Sequence, residues 1–158
     1  MKFERYYFYY VDFDGNLYHD NTLLTDKKFL NFFFKQIQYN KTGYFENYPY
    51  ISPCGKEMNF IACPDTPIVF RHLENNHLIY GGDLKIYFDP YQLKYVEISG
   101  QLYYRVKDNL FGRLGKYVLQ EISNLLKEEN GVYYYENFPI PIFSSFSDLI
   151  QDSIKNTH

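Results

Sequence analysis

Tyr6-Tyr7-Phe8-Tyr9-Tyr10-Val11-Asp12-Phe13-Asp14-Gly15-Asn16-Leu17-Tyr18-His19 is the stretch whose reading decides the fold. Tyr6 to Val11 is apolar at six consecutive positions, so neither face of an extended strand is left for water. Such a run belongs inside a sheet with a covering element on each side. Asp14-Gly15 between apolar runs signals a hairpin, because the turns that suit twisted strands need positive φ. Asn16 to His19 is then the returning strand.

Downstream, Thr25 stands where a helix cap is expected, with Asp26 suiting the positive helix end. Phe29, Phe33 and Ile37 recur at spacing four, and Leu30 and Phe34 fill the adjoining stripe. That pattern predicts an amphipathic helix of about three to four turns, closed by Asn40 and Gly43. The next sixty or so residues read as short strands: Asn59 to Ala62, Ile68 to Leu73, His77 to Tyr80, Lys85 to Phe88, Lys94 to Ile98 and Gln101 to Val106. Glu74-Asn75-Asn76 and Ser99-Gly100 supply turns. Leu110, Leu114, Tyr117, Val118, Ile122 and Leu125 predict a second helix that Asn130-Gly131 closes. Val132 to Tyr135 returns as a strand, and Pro139 and Pro141 restrict their surroundings to a sheet edge. Ser145 with Asp148 three residues on resembles a capping box for a short C-terminal helix.

Short connections between strands favour antiparallel pairing. The expectation is therefore a single α+β domain over residues 1–158. Its mostly antiparallel, twisted sheet carries two main helices and a short C-terminal one.

Aromatic residues make up 22% of the chain, from 19 Tyr and 15 Phe with no Trp, so the core is expected to be rich in rings. AT-rich coding sequence produces the same excess of Tyr, Phe, Asn, Lys and Ile, so the rings alone do not indicate a ligand. A net charge of −3 without a clustered basic stripe argues against nucleic acid as a partner. No apolar run is long enough to span a membrane. The first residues lack a signal-peptide core and an Arg-rich presequence, so the expected location is the bacterial cytoplasm. Asn40-Lys41-Thr42 matches a glycosylation sequon, yet without a secretion signal it reads as a loop. Two cysteines do not make a disulfide framework.

One segment gathers chemically capable groups: Ile51-Ser52-Pro53-Cys54-Gly55-Lys56-Glu57-Met58-Asn59-Phe60-Ile61-Ala62-Cys63-Pro64-Asp65-Thr66-Pro67-Ile68-Val69-Phe70-Arg71-His72. Together with Tyr7 to Asp12, Gly15-Asn16-Leu17 and Phe29-Leu30 to Phe33-Phe34, it resembles the uncharacterised protein family 0598, also described as domain of unknown function 4505. Phe88-Asp89-Pro90 and Gly100-Gln101-Leu102-Tyr103 match more weakly. The resemblance covers about two thirds of the chain and fades in the last fifty residues. It implies bacterial and eukaryotic relatives, the latter mitochondrial in appearance. It implies no reaction and no ligand.

Cys54 between Pro53 and Gly55 is expected in a turn with free backbone amides. A thiolate there is a candidate nucleophile, with His72 as base and Glu57 or Asp65 orienting it. The alternative is a small buried cysteine beside a tight turn. Cys54, Cys63, His72 and His77 form a second alternative as zinc ligands, although no Cys-x-x-Cys spacing occurs. Asn59, Asp65 and Arg71 are candidate ligand-binding groups, with charged turn residues as the bland reading. Gly81-Gly82 lacks the Lys and following helix of a phosphate loop, so no cofactor is expected. The first functional expectation is a non-catalytic module that binds a protein or a small molecule through an aromatic face. The Cys54 enzyme is second.

Overall fold

The computed structural model describes residues 2–156 of the 158. The expected domain limits at 1 and 158 lie outside the described residues. The chain forms two compact units, one of residues 2–69 with 80–85 and one of residues 70–79 with 86–156. No helix among the described residues is long and apolar enough to cross a membrane.

The first unit contains β1 (Arg5–Val11), β2 (Leu17–His19), β3 (Thr22–Leu23), α1 (Lys27–Lys35), β4 (Gln38–Tyr39), β5 (Tyr50–Cys54) and β6 (Glu57–Ala62). Its six strands lie in the order β3-β2-β1-β6-β5-β4. The apolar β1 is therefore interior, as its sequence demands. Its neighbour β6 runs parallel to it, from Arg5 opposite Glu57 to Tyr10 opposite Ala62. The mostly antiparallel pairing thus has a parallel exception at the centre of this sheet, where the partner is fixed by long-range packing.

Paired residues share a face. Tyr7, Tyr9, Asn59, Ile61, Tyr50, Ser52 and Cys54 therefore lie on one side. There α1 packs, with the Phe33 ring 4.8 Å from that of Tyr9. Tyr6, Phe8, Met58, Phe60, Ile51 and Pro53 occupy the other side. The segment 40–49 folds over part of it, placing Tyr48 4.8 Å from Phe8 and Phe45 4.9 Å from Phe60.

The local signals are only partly where the sequence places them. The first hairpin does turn at Asp14-Gly15, but as a longer loop gathered around Asp12. That carboxylate accepts from the Asp14 and Asn16 backbone N–H groups and from Asn16 Nδ2, at 3.0, 2.9 and 3.1 Å. Asp26, not Thr25, caps α1, accepting from the Phe29 N–H at 2.9 Å. The helix has nine residues, shorter than expected, and ends at Gln36. Asn40 instead opens the covering loop.

The chain passes from one unit to the other within β7 (Val69–Phe70), and again within two later strands, β9 and β10. In sequence order there follow β8 (His72–Glu74), β9 (His77–Tyr80), β10 (Leu84–Tyr87), β11 (Lys94–Val96), β12 (Gln101–Lys107), β13 (Leu110–Leu114), α2 (Lys116–Ile122), β14 (Leu126–Glu129), β15 (Val132–Tyr135), β16 (Phe138–Pro139), β17 (Ile142–Phe143) and α3 (Phe146–Lys155). In the second unit four strands lie in the order β17-β11-β12-β13, and a small sheet in the order β14-β15-β16. Val96, Tyr103, Phe111 and Leu149 form a buried cluster onto which Phe143 and Phe146 pack. The β11–β17 pair is parallel.

Two expectations fail here. Leu110 to Leu114 is a strand, because all five residues are buried against neighbours on both faces. The helix starts only after Gly115. Asn130-Gly131, with φ of 53° and 81°, makes the β14–β15 hairpin turn instead of ending a helix. The C-terminal helix, capped by Ser145 as expected, is the longest of three, with ten residues. Two main helices and a short one therefore become three of similar length.

Candidate functional site

The Cys54 segment folds as a hairpin whose turn is Gly55-Lys56, with Gly55 at φ +64°. Glycine suits that position because a Cβ there strains the backbone. Pro53 is not part of the turn. It sits inside β5 opposite Met58, and Cys54 pairs with Glu57. The expected loop of free amides around the thiol is therefore a paired strand end.

The Cys54 side chain is half-buried, with Sγ 3.8 Å from Ser52 Oγ. Burial pushes the thiol above its ordinary range. Hydrogen bonding at Asn59 pulls it down, the Glu57 carboxylate raises it, and the net direction is upward. A thiolate nucleophile needs the opposite, a positive neighbour or helix N-terminus. Ser52 is spent on the helix, donating to the Phe33 carbonyl at 2.6 Å. Asn59 Nδ2 donates to the Ser52 carbonyl at 3.0 Å, and its buried Oδ1 has no hydrogen-bond partner among the described residues. Glu57 pairs with Arg5 at 3.0 Å.

Cys54, Glu57 and Asn59 thus stand together. Asp65 lies past the opposite end of β6, where its carboxylate accepts from the Thr66 N–H at 2.7 Å and its carbonyl from the Tyr50 hydroxyl at 3.3 Å. Arg71 and His72 belong to the second unit. His72 is exposed on β8, its ring parallel to that of Tyr117 at 6.1 Å. The Arg71 N–H donates to the Ile79 carbonyl at 2.9 Å. Among the described residues no three His, Cys, Asp or Glu side chains gather as metal ligands. The zinc alternative through Cys54, Cys63, His72 and His77 has no such group behind it.

The histidine that does share the α1 side of the first sheet is His19, which the sequence reading passes over. Its ring stacks on Tyr9 at 4.6 Å, meets Tyr7 edge-on at 5.9 Å, and its Nε2 lies 3.6 Å from Asp20. Alternation along β1 was the available signal. His19 joins Tyr9 only through the β1–β2 register, in which Tyr10 faces Tyr18.

On the other side of the same hairpin lies a cleft of about 610 Å³. Ile51, Pro53, Met58 and Phe3 give it an apolar floor, and Gln38, Tyr39, Lys41, Thr42, Tyr44 and Lys2 surround it. No acidic residue is among the described residues that line it. One wall is held by Asn40, whose Nδ2 donates to the carbonyls of Tyr44, Phe45 and Tyr48 at 2.9, 3.3 and 2.9 Å. Its Oδ1 accepts from the Thr42 N–H at 3.1 Å and the Thr42 hydroxyl at 2.6 Å. The sequon asparagine is thus committed to shaping this loop. A smaller pocket of about 310 Å³ in the second unit is lined by Tyr95 and Tyr133, whose rings stack at 4.1 Å. The Tyr95 hydroxyl donates to Tyr133 and its pKa is pushed up to about 12, chiefly by that bond.

Two solved structures share the fold. One is a DUF1285 family protein from Silicibacter pomeroyi DSS-3, 12% identical, with 90% of this chain and 82% of that one aligned at a TM-score of 0.62. The other is a DUF1285 family protein from Shewanella baltica OS155, 18% identical, over 73% of this chain and 90% of that one, with a TM-score of 0.53. At such identities the likeness speaks for fold alone. Residues 2–139 match the family model described as Domain of unknown function (DUF4505), a span that includes the Cys54 hairpin and every residue of the cleft beside it. The chain belongs to the DUF4505 family.

Proposed function

We propose that the protein is a non-catalytic binding module that takes a small molecule in the cleft of its first unit. The observation that carries this reading is the cleft itself. A volume of about 610 Å³ falls in the range of small-ligand pockets, and an apolar floor with a few polar groups around it is their usual construction. The state of Cys54 supports binding over catalysis, since burial pushes the thiol up, away from the thiolate a nucleophile needs. The Pro53-Cys54-Gly55 motif is read as a device that shapes the hairpin under the cleft. Pro53 and Met58 furnish its floor, and Gly55 closes the turn. Three passages of the chain between the units, within β7, β9 and β10, support treating residues 1–158 as one domain.

The test is fluorescence titration with N-phenyl-1-naphthylamine, a neutral probe that brightens in apolar surroundings. Saturable binding of one probe per chain is expected, with amide shifts in residues 38–42 and 51–58. Met58→Glu, which puts a charge on the floor, should abolish it while circular dichroism stays native. Cys54→Ala should keep it. A probe that stays dark, or shifts confined to other segments, overturns the reading.

A further inference from the structure

We infer that the ligand of this cleft is an amphipathic monocarboxylate, its hydrocarbon on the apolar floor and its carboxylate at Lys2 and Lys41. The inference rests on the binding reading above and adds the chemistry of the ligand. The floor is made of Ile51, Pro53 and Met58, and Pro53 brings no backbone N–H to it. A ligand polar along its whole length would lose hydrogen bonds to water there without replacement. The polar end is therefore recognised at the rim.

Lys2 and Lys41 both line the cleft, with no Asp or Glu among the described residues that line it. Three other cations of the same unit carry a carboxylate partner. Arg5 pairs with Glu57, Lys27 with Asp83 and Lys56 with Glu4, at 3.0, 3.8 and 3.2 Å. Lys2 and Lys41 have no ion-pair partner among the described residues, in a chain whose net charge is −3. The Thr42 hydroxyl already donates to Asn40 and accepts from the Tyr44 N–H, so the lysines are the charged groups of the lining that can meet an anion. Complementarity of this kind selects the charge of a ligand more than it sets raw affinity.

The test compares decanoate, decanol and decyltrimethylammonium as displacers of N-phenyl-1-naphthylamine from the full chain. Decanoate should bind at least about fivefold more tightly than decanol, the size of a charge-assisted contact at an exposed rim. The preference should shrink as salt rises. The double substitution Lys2→Glu with Lys41→Glu should reverse the order, so that decyltrimethylammonium outcompetes decanoate, with an unchanged melting curve as the folding control. Equal binding of decanoate and decanol overturns the carboxylate inference and leaves the binding module standing. Binding only to vesicles of anionic lipid, without monomeric decanoate, overturns it in favour of a membrane surface. Failure of every probe overturns both readings.

Discussion

Asn40→Ala should unfasten the wall of the cleft. In the folded chain the Asn40 amide serves three carbonyls with two N–H groups, and its oxygen accepts two further bonds. Counting two donated and two accepted bonds at about 0.5–1 kcal/mol net gives about 2–4 kcal/mol. Asn40 is only half-buried, so water replaces part of what is lost and the low end, about 2 kcal/mol, is expected. With a urea dependence of about 2 kcal/mol per molar, the midpoint of unfolding should fall by about 1 M. Circular dichroism in urea measures the midpoint, and hydrogen exchange reads the amides of residues 40–48 directly. Those amides should exchange faster than in the parent protein, and the neutral probe should bind more weakly. Asn40→Asp is the sharper variant. It keeps the acceptor, removes both donors and turns a carboxylate toward three carbonyls, so it should cost at least as much as alanine. A midpoint within about 0.2 M of the parent for both variants, with loop exchange unchanged, would refute the claim that this side chain holds the loop.

Ser52→Ala removes the buried hydroxyl that donates to the Phe33 carbonyl at the end of α1, a carbonyl the Gln36 N–H still serves at 3.3 Å, and should cost about 0.5–1.5 kcal/mol by denaturant unfolding; a cost below about 0.2 kcal/mol would mean water takes the serine's place. Cys54 should react with iodoacetamide at pH 7 more slowly than a free cysteine, read peptide by peptide in a mass spectrometer, and faster labelling would restore it as a nucleophile. Burial alone would raise the Asp12 carboxyl, but the hydrogen bonds it accepts from Asn16 and Asp14 hold it below its usual range. Its stabilising contribution is therefore present above about pH 4 and fades as pH falls through the folded value. Asp12→Asn should flatten this acid limb of the stability curve by less than about 1 kcal/mol, since solvent screens the group, and parallel curves for the two proteins would contradict it.

What the sequence reveals of this fold divides along the range of the interactions. The interior position of β1 is legible because six successive apolar residues admit no other site. The cap at Ser145 is legible because a side chain and a backbone N–H three residues apart settle it. The strand at Leu110 to Leu114 is misread because Leu110 and Leu114 satisfy a helical spacing and a fully buried strand equally well. The parallel partner of β1 lies fifty residues away, and nothing in Tyr6 to Val11 names it. Within the site, Cys54, Glu57 and Asn59 are neighbours because a two-residue turn folds them together, so their grouping is readable. His19 and the cleft are not, since one depends on strand register and the other on a loop that Asn40 bends over Ile51 and Pro53.

The parallel pairing of β1 with β6 has a consequence for the newborn chain. Tyr6 to Val11 leaves the ribosome about fifty residues ahead of its partner Glu57 to Ala62. At about 5–20 residues per second, the delay is about 3–10 s. Throughout that interval an uncharged, proline-free, tyrosine-rich segment has one flank open, the profile of a stretch that recruits copies of itself. Cells making this protein quickly should rely on a holding chaperone on this strand, and overproduction without one should drive it into inclusion bodies.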